Sequence, residues 1–374
     1  MWQAEIRVDL DAIRTNVALL RSRTTAQVMA VVKADGYGHG MVPAARAALA
    51  GGATWLGACT IREALVLRDA GIDVPVLAWL WAPGAPVGDA VRAHIDLSVA
   101  SLDQLHAVVT AAARWDRTAR VHLKIDSGLN RNGATPAEWS ALVDAAAKAQ
   151  ADGDIDVVGA WSHLAAADEP GHPSIDRQLA RFQDGLGEVA RAGLVPQVRH
   201  LANSAALLTR PDTHFDLVRP GLAIYGLSPM PERAAEFGLR PAMTLRAAVA
   251  LAKRVPPGEG VSYGHTYTTD RETMLALIPI GYADGVPRHA SGVGPVHLAG
   301  RVRTIAGRVC MDQIVLDCGD DEVRAGDIAT LFGPGDGGEP TADDWATAVG
   351  TINYEIVARI GSARVDRVYD EAAR

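Results

Sequence analysis

Short runs of β-branched and other apolar residues alternate with alanine-rich stretches of helical periodicity over the first two-thirds of the chain. That alternation is typical of βα units built around a parallel sheet. It predicts eight strands, at residues 28–32, 54–58, 74–78, 95–99, 119–125, 155–161, 197–201 and 215–218. Helical patterns lie between them, for example at residues 41–50, 61–70, 102–113, 138–149 and 176–191. The predicted fold class is α/β, most naturally a (β/α)8 TIM barrel; the strand count alone leaves an open doubly wound sheet as the alternative.

After residue 238 the pattern changes to short strands joined by turn dipeptides such as Pro257-Gly258 and Asp284-Gly285. Strands are predicted at residues 245–253, 274–280, 296–298, 301–305, 309–317 and 327–331. Helical periodicity returns at residues 341–349, where Thr341 can cap the helix, and at 353–360. We therefore divide the chain into a barrel at residues 1–238 and a C-terminal mostly-β domain at residues 239–374.

Composition and charge narrow the class of protein. Of the 374 residues, 48% are hydrophobic and 21% are charged, which favours a large packed core over disorder. The net charge of −8 disfavours a nucleic-acid partner. No apolar run reaches the roughly 18 residues of a membrane span, and the charged N-terminal segment lacks a secretory signal. Three cysteines without metal-type spacing predict neither a disulfide scaffold nor a metal site, so a cytoplasmic protein is expected.

Polar side chains collect where the predicted barrel strands end, and the carboxyl ends of barrel strands form the functional rim. In chain order these positions are Lys33, Cys59, Trp79, Ser98, Lys124, His163, His200 with Asn203 and Ser204, and Arg219. Each of them alone is compatible with an ordinary solvated loop residue. We find no comparable set at the opposite ends of these strands, so the cluster predicts an anion site.

The loops after the last two strands favour phosphate as that anion. Asn203 or Ser204 is placed to cap a helix, and the segment from Arg219 to Leu222 repeats the arrangement one strand later. Free backbone N–H groups at two helix starts would form a phosphate site of the kind that barrels often carry. Ordinary helix capping is the alternative. The chain has no nucleotide-binding P-loop sequence.

Lys33 is the most informative single residue, because it ends a buried apolar strand and precedes three glycines, Gly36, Gly38 and Gly40. Burial at such a position disfavours the charged form of an amine and favours its attack on carbonyl groups. The glycines would let the backbone approach a ligand closely. A nucleophilic lysine beside a phosphate site indicates pyridoxal 5′-phosphate (PLP).

A series of motifs in the correct order resembles one known family over nearly the whole chain. In the barrel these are VVKADGYGHG (31–40), KIDSGLNR (124–131), SH (162–163), HLANS (200–204) and RPGLAIYG (219–226). In the second domain they are VSYGHTYT (261–268), GYADG (281–285), CMDQ (310–313) and INYE (352–355). The chain resembles the fold-type III alanine racemases, whose barrel and C-terminal β domain match the division made above.

The resemblance implies a two-base mechanism, because racemisation removes a Cα proton on one face and returns one on the other. Lys33 matches the position of the family lysine that acts as the base for D-alanine, and Tyr263 matches the position of the opposing base, which acts on L-alanine. Tyrosine is a weak base at neutral pH unless a cation stabilises its phenolate, and Arg131 would do so while holding the substrate carboxylate. His163 would link Tyr263 to the cofactor side by hydrogen bonds.

The remaining family residues are implied for the cofactor, the substrate and its entry. Arg219, with His200 behind it, matches the family arginine that contacts the pyridine nitrogen of PLP. Because a guanidinium only donates hydrogen bonds, the cofactor would be a weak electron sink, and transamination would be suppressed. The resemblance further implies phosphate and cofactor contacts by Tyr37, Asn203, Ser204, Gly221, Leu222 and Tyr354; substrate contacts by Met311 and Asp312; and an entry corridor of Tyr282, Arg288, Arg308 and Ile352. Lys124 matches a lysine that is often carbamylated in this family.

In the family Tyr263 and Met311 serve the cofactor of the other subunit, so the resemblance implies a homodimer whose residues 239–374 contribute the second base to the partner. It also implies a role in supplying D-alanine for peptidoglycan. Departures are small: Gly36 stands where alanine is usual, and Leu222 where isoleucine is common. A racemase of serine or lysine, an amino-acid decarboxylase, a non-catalytic PLP carrier and a sugar-phosphate barrel enzyme are the alternatives.

Overall fold

The structure, a computed structural model, describes residues 3–370. Eight parallel strands form one sheet in chain order, and the last strand pairs with the first. They are Gln27–Val31, Trp55–Ala58, Val76–Ala78, Asp96–Val99, Ala119–Lys124, Ile155–Trp161, Val198–His200 and Leu217–Val218. The Asp216 N–H donates to the Arg199 carbonyl oxygen at 3.1 Å, which joins the last two strands. The (β/α)8 prediction is confirmed, and the open doubly wound alternative is wrong.

Helices follow the strands as their periodicity predicts. In chain order the helices are Leu10–Ser22, Met41–Ala50, Ile61–Asp69, Val87–Arg92, Leu102–Trp115, Pro136–Ala151, Ser174–Arg191, Ser204–Thr209, Ala234–Phe237, Ala342–Val349 and Asn353–Ala358. Thr341 caps its helix as expected, since its side chain accepts the Asp344 N–H. No helix within residues 3–370 is long and apolar enough to cross a bilayer.

The chain divides into two compact units. The barrel unit comprises Arg14–Gly36 and Ala44–Leu239, and the β unit comprises the described residues up to Ile13, Tyr37–Pro43 and those from Arg240 onward. The β unit contains a six-stranded sheet, in the order Arg301–Thr304, Pro295–Leu298, Ile328–Phe332, Met243–Ala248, Ala4–Asp9 and Asp366–Asp370. It also contains a three-stranded sheet, Leu251–Val255, Thr273–Ile278 and Ile314–Asp317, and the hairpin of Gly260–Val261 with Tyr267–Thr268.

Three features of the β unit differ from the predicted elements. The strand Ala4–Asp9, which is not among the predicted strands, joins this unit by pairing with Met243–Ala248. Its apolar residues alternate with charged ones, so the pattern is visible in the sequence. The predicted strand 245–253 is two strands in different sheets, Met243–Ala248 and Leu251–Val255. The predicted strand 309–317 is shortened to Ile314–Asp317, because residues 309–313 form a loop.

Candidate active site

Lys33 stands at the carboxyl end of the first barrel strand, Gln27–Val31, at the start of a tight left-handed turn. The φ angles of Ala34, Asp35 and Gly36 are 53°, 52° and 63°. A residue with a side chain pays about 1–2 kcal/mol for this conformation. Such strain persists only where the surrounding structure enforces it, which is common at catalytic and ligand sites. The turn therefore fixes the backbone from which the Lys33 amine extends.

Gly38 and Gly40, which follow this turn, approach protein atoms rather than a ligand. A Cβ on Gly38 would lie 2.3 Å from the Val357 carbonyl oxygen, and one on Gly40 would lie 2.1 Å from the Tyr369 hydroxyl. Their φ angles of 82° and 90° also require glycine. The expectation that all three glycines make room for a ligand is therefore wrong for this pair.

The indole of Trp161, at the end of the strand Ile155–Trp161, lies among the cations of the barrel rim. The Lys124 Nζ and the Arg219 Cζ are 4.1 Å and 4.8 Å from the ring centroid. The His200 ring stacks on the same indole at 5.4 Å, with an interplanar angle of 9°. Because an aromatic face attracts cations, Trp161 brings Lys124 and Arg219 together. The sequence indicates Trp161 only as a strand residue.

Lys124 is buried, which is unusual for a lysine, and the residue is only 4% exposed. Burial, followed by the charges of Arg219 and Arg131, lowers the pKa of Lys124 to about 7. Arg131 itself is exposed, in the loop that follows the strand Ala119–Lys124. A large fraction of Lys124 is therefore the neutral, nucleophilic amine under physiological conditions.

Arg219 is 5% exposed, and its hydrogen bonds run to neutral acceptors. Its Nη2 donates to the carbonyl oxygens of Ser162 and Leu201 at 2.8 Å and 3.0 Å. Its Nη1 donates to His200 Nδ1 at 3.0 Å, and His163 Nδ1 lies 3.3 Å from Nη2. Burial lowers the pKa of Arg219 to about 9, which leaves it charged at neutral pH. No carboxylate within residues 3–370 pairs with it, so the barrel holds a buried cation suited to an anion or a nitrogen acceptor.

The two rim histidines are neutral. Burial, followed by the charge of Arg219, holds the pKa of His163 and of His200 well below the ordinary histidine value. A neutral imidazole carries one donor and one acceptor, and which nitrogen is which depends on its neighbours. Both rings can therefore pass on a hydrogen bond without adding positive charge to the site.

The two loops predicted to bind phosphate are tied to each other through Ser204. Asn203 caps the short helix that follows, and its side chain accepts a backbone N–H at 3.0 Å. The Ser204 Oγ accepts the N–H groups of Gly221 and Ala223 at 2.9 Å and 3.3 Å. The Gly221 N–H therefore already has an acceptor within the protein. Because both lone pairs of the Ser204 hydroxyl are engaged, its own proton is left to donate to a further acceptor.

In the β unit, Tyr263 follows a strained residue. Ser262 has φ 62° and ψ −172°, a region populated almost only by glycine. The Ser262 Oγ donates to the Arg308 carbonyl oxygen at 2.7 Å. A Cβ on the next glycine, Gly264, would lie 3.1 Å from the Arg308 guanidinium carbon. The backbone on both sides of Tyr263 is thus held in place while its side chain is 70% exposed.

This strain predicts an inverted order of stability for two variants of Ser262. Both lose the bond to Arg308, worth about 1 kcal/mol, but glycine also relieves the strain of about 1–3 kcal/mol. We expect Ser262→Gly to be more stable than Ser262→Ala by about 1–2 kcal/mol, the reverse of the usual alanine advantage. Thermal unfolding of both proteins measures the order. An alanine variant as stable as the glycine variant would show that Ser262 is unstrained.

Tyr37 and Tyr354, both predicted to contact the cofactor, are neighbours in the β unit. Their ring centroids are 6.4 Å apart with an interplanar angle of 43°. Ile352 is the N-cap of the helix Asn353–Ala358 that carries Tyr354, and its side chain is exposed. One helix start therefore joins a predicted cofactor residue to a predicted corridor residue.

Tyr282 lies beside the loop that carries Met311 and Asp312. Its N–H donates to the Cys310 carbonyl oxygen at 3.0 Å. Met311 and Tyr282 have exposed side chains, and Asp312 forms an ion pair with Arg364. The carboxylate of Asp312 is thereby held by a residue that the sequence motifs do not indicate.

Arg288 and the residue after Arg308 both contact the hydroxyl of Ser291. The Ser291 Oγ accepts the Val309 N–H at 3.0 Å, and the Arg288 Nη1 lies 3.4 Å from the same oxygen. The two predicted corridor arginines are therefore connected within the β unit through Ser291 and the residue after Arg308.

Polar residues also occupy the opposite ends of the barrel strands, where none are expected. Asp96 begins its strand with 0% exposure, and Arg120 donates to it at 2.6 Å. The signal is present in the strand 119–124, where Arg120, His122 and Lys124 alternate with Val121 and Leu123. Polar residues at every second position of a buried strand indicate a polar interior face. The expectation that only the carboxyl ends are polar is therefore wrong.

Comparisons with known proteins agree with the motifs. Residues 8–229 match the family model "Alanine racemase, N-terminal domain", and residues 242–369 match "Alanine racemase, C-terminal domain". The alanine racemases of Salinispora tropica and Thermobifida fusca are 70% and 63% identical, each match covering 99% of both chains. The alanine racemase structure from D-cycloserine-producing Streptomyces lavendulae is 56% identical, with a TM-score of 0.98, over 100% of this chain and 98% of that one. This chain belongs to the alanine racemase family.

Proposed function

We propose that the protein interconverts L-alanine and D-alanine with PLP and two bases, Lys33 and Tyr263, and supplies D-alanine for peptidoglycan. The observation that carries the proposal is the pairing of the barrel strands that precede Lys33 and Arg219. Those strands, Gln27–Val31 and Leu217–Val218, are hydrogen-bonded neighbours. A lysine for covalent attachment and a guanidinium that pairs with no carboxylate of the described residues thus follow adjacent strands of one rim.

The donor chemistry of this rim fits PLP. Its phosphate calls for hydrogen-bond donors, which the free proton of the Ser204 hydroxyl and the amino-terminal turn after Gly221 can supply. Its pyridine nitrogen calls for one donor. Three of the five N–H groups of the Arg219 guanidinium serve protein acceptors, and we assign its Nε–H to the pyridine nitrogen. Lys33 would hold the aldehyde carbon. Tyr37, Asn203, Leu222 and Tyr354 are proposed to complete the site.

When bound, PLP withdraws electrons from the amino acid and makes its Cα–H bond acidic. The Lys33 Nζ is proposed to take or return the proton on one face of Cα, and the Tyr263 Oη to do so on the other. Arg131 would hold the substrate carboxylate and stabilise the phenolate of Tyr263. The backbone of Met311, with Asp312 beside it, would complete the carboxylate site.

Arg219 is proposed to set the reaction outcome. A guanidinium only donates, and the neutral His163 and His200 beside it carry no imidazolium proton to transfer. The pyridine nitrogen would therefore stay unprotonated, which favours proton return to Cα and disfavours transamination.

The exposed Tyr263 and Met311 favour an active site shared between two subunits, in which the domain at residues 239–374 supplies Tyr263 to the barrel of the partner. Tyr282, Arg288, Arg308 and Ile352 would then line the substrate entrance.

Dilution of the protein below the dissociation constant of the dimer should lower its activity in parallel with the fraction of dimer, because each site would need both subunits. Analytical ultracentrifugation measures that fraction.

Proton NMR in D₂O with added PLP and L-alanine, followed by chiral analysis, tests the function. We expect deuterium at Cα together with D-alanine, and neither with the Lys33→Ala variant as the matched control. Exchange without D-alanine would reject racemisation. Intact L-alanine beside a bound yellow cofactor would reject alanine as substrate, and serine, lysine and arginine would then be assayed.

Lys124 is proposed to carry a carbamate whose negative charge orients Arg131. Carbamylation needs a neutral amine, and the Lys124 pKa of about 7 supplies one at neutral pH. With ¹³C-bicarbonate we expect a carbamate carbonyl resonance in NMR that weakens as the pH falls below 7, because the amine then protonates. Lys124→Arg should abolish the resonance and Lys148→Arg, at an exposed lysine, should keep it. A resonance that persists in Lys124→Arg would assign the carbamate elsewhere.

A further inference from the structure

A continuous line of buried polar side chains runs through the barrel from the start of one strand to the end of others. Its hydrogen-bonded members, in order, are Arg120, Asp96, His122, His200 and Arg219. The successive donor–acceptor distances are 2.6, 3.1, 2.9 and 3.0 Å. We refer to these five residues as the barrel relay. Its far end lies at the opposite end of the strands from the predicted cofactor site.

The barrel relay is unusual for a TIM barrel, whose interior is normally filled by branched apolar residues. Asp96, His122 and His200 are each 0% exposed. The neighbouring strand makes room for it, since a Cβ on Gly159 would lie 2.2 Å from His122 Nδ1. Buried polar groups are costly unless they are hydrogen-bonded, and here every link is made. The fold therefore accommodates the relay at the expense of apolar packing.

Hydrogen-bond chemistry assigns one proton arrangement to the relay. Arg219 can only donate, so His200 Nδ1 must accept and its proton lies on Nε2. The Nε2–H donates to His122 Nδ1, so the proton of His122 lies on Nε2 and points to Asp96. A carboxylate only accepts, so the same order follows when the relay is read from Asp96. Both ends therefore require the same tautomer at each histidine.

The ion pair at the far end keeps Asp96 an acceptor. Burial alone would raise the pKa of Asp96, but hydrogen bonds from His122 and Arg120 outweigh it, and the pKa is lowered. Arg120 bonds both carboxylate oxygens, with Nη2 at 3.2 Å from the second. A second carboxylate, that of Asp156, lies 3.9 Å from Arg120 but forms no link to His122.

We propose that Asp96 and His122 are positioning residues that fix the His200 tautomer and thereby hold Arg219 with its Nε–H available for the pyridine nitrogen of PLP. This inference rests on the proposed function of Arg219. A reversed His200 would point its Nδ1–H at the guanidinium, and two donors 3.0 Å apart would repel each other. Arg219 would then shift, and its bond to the cofactor would weaken.

The variant Asp96→Asn tests the relay because an amide cannot satisfy both neighbours. If its oxygen faces Arg120 Nε, its NH₂ faces His122, and the tautomers of His122 and His200 reverse. If its oxygen faces His122, its NH₂ opposes the Arg120 Nε–H across the shortest contact of the relay, 2.6 Å, so we expect the first orientation. Either orientation breaks a bond that the carboxylate makes. The matched control is Asp156→Asn, which removes a carboxylate near Arg120 without touching the relay.

¹⁵N NMR of protein labelled at its 11 histidines reads the tautomers directly, with and without PLP. In the wild type we expect His122 and His200 to have protonated Nε2 and unprotonated Nδ1. In Asp96→Asn we expect Nδ1–H at His200, a kcat for alanine about tenfold lower, and a KM within twofold, as for loss of an orienting partner. Asp156→Asn should leave all of these unchanged.

The outcomes separate the relay from the function. A wild-type His200 protonated on Nδ1 would overturn the proposal without any variant, even if Asp96→Asn fails to fold. A shifted tautomer with unchanged kcat would overturn the positioning role. An unchanged tautomer in folded Asp96→Asn would overturn the action of Asp96. Absence of racemisation in the wild type would reject the proposed function instead, since the NMR of the cofactor-free protein does not depend on it.

Discussion

Replacing Tyr263 by phenylalanine is expected to lower kcat for conversion of L-alanine about 10³-fold, the range supplied by a positioned general base. The phenolic oxygen is the proposed proton carrier on one face of Cα, and phenylalanine keeps the ring but removes that oxygen. Lys33 on the other face is untouched, so exchange of the D-alanine Cα proton with solvent should survive in part. Deuterium incorporation into each enantiomer, followed by NMR in D₂O, measures the two faces separately.

Tyr267→Phe is the matched control, because Tyr267 lies in the same hairpin and differs in its surroundings. Its hydroxyl donates to Asp317 at 2.7 Å, and burial with that carboxylate raises the pKa of Tyr267 to about 12. It cannot serve as a base at neutral pH, so its variant should retain exchange at both enantiomers. Equal loss of exchange at L-alanine and D-alanine in Tyr263→Phe would refute the assignment of one base to each face.

The barrel could be predicted from sequence because parallel strands and their helices have different periodicities. Each predicted barrel strand is present, and its ends differ by at most two residues. The rim residues Lys124, His200 and Arg219 could be found for the same reason, since a polar residue at the point where a strand ends is visible in one dimension. Their contact with one another through Trp161 could not, because tryptophan in an apolar strand is indistinguishable from a core residue.

Most of the site features that could not be predicted from the sequence are features of backbone conformation. Nothing in the types of Ala34 or Ser262 marks a left-handed or glycine-like conformation, since the surrounding structure imposes it. Gly38 and Gly40 carry a visible signal, but glycine serves equally for a ligand or for close packing against Val357 and Tyr369. Local residue type could therefore indicate that these positions are special without indicating what they approach.

Arg219→Glu is expected to lower kcat for racemisation about 10²–10³-fold, as for loss of a preorganised donor, and to raise the ratio of transamination to racemisation. A carboxylate would share a proton with the pyridine nitrogen, so proton return to the cofactor would compete with return to Cα. Pyruvate and D-alanine formed from L-alanine give the ratio directly.

The same substitution should change the protonation of His200. Its Nδ1 would then face an acceptor, while Asp96, acting through His122, would still require the proton on Nε2. Both nitrogens would carry protons, so the histidine becomes an imidazolium paired with the new carboxylate, which ¹⁵N NMR detects. Arg219→Gln is the matched control, since a neutral amide removes the guanidinium without offering a carboxylate. It should lose racemisation with the ratio unchanged. A ratio that stays at the wild-type value in folded Arg219→Glu would show that the charge of residue 219 does not decide where the proton returns.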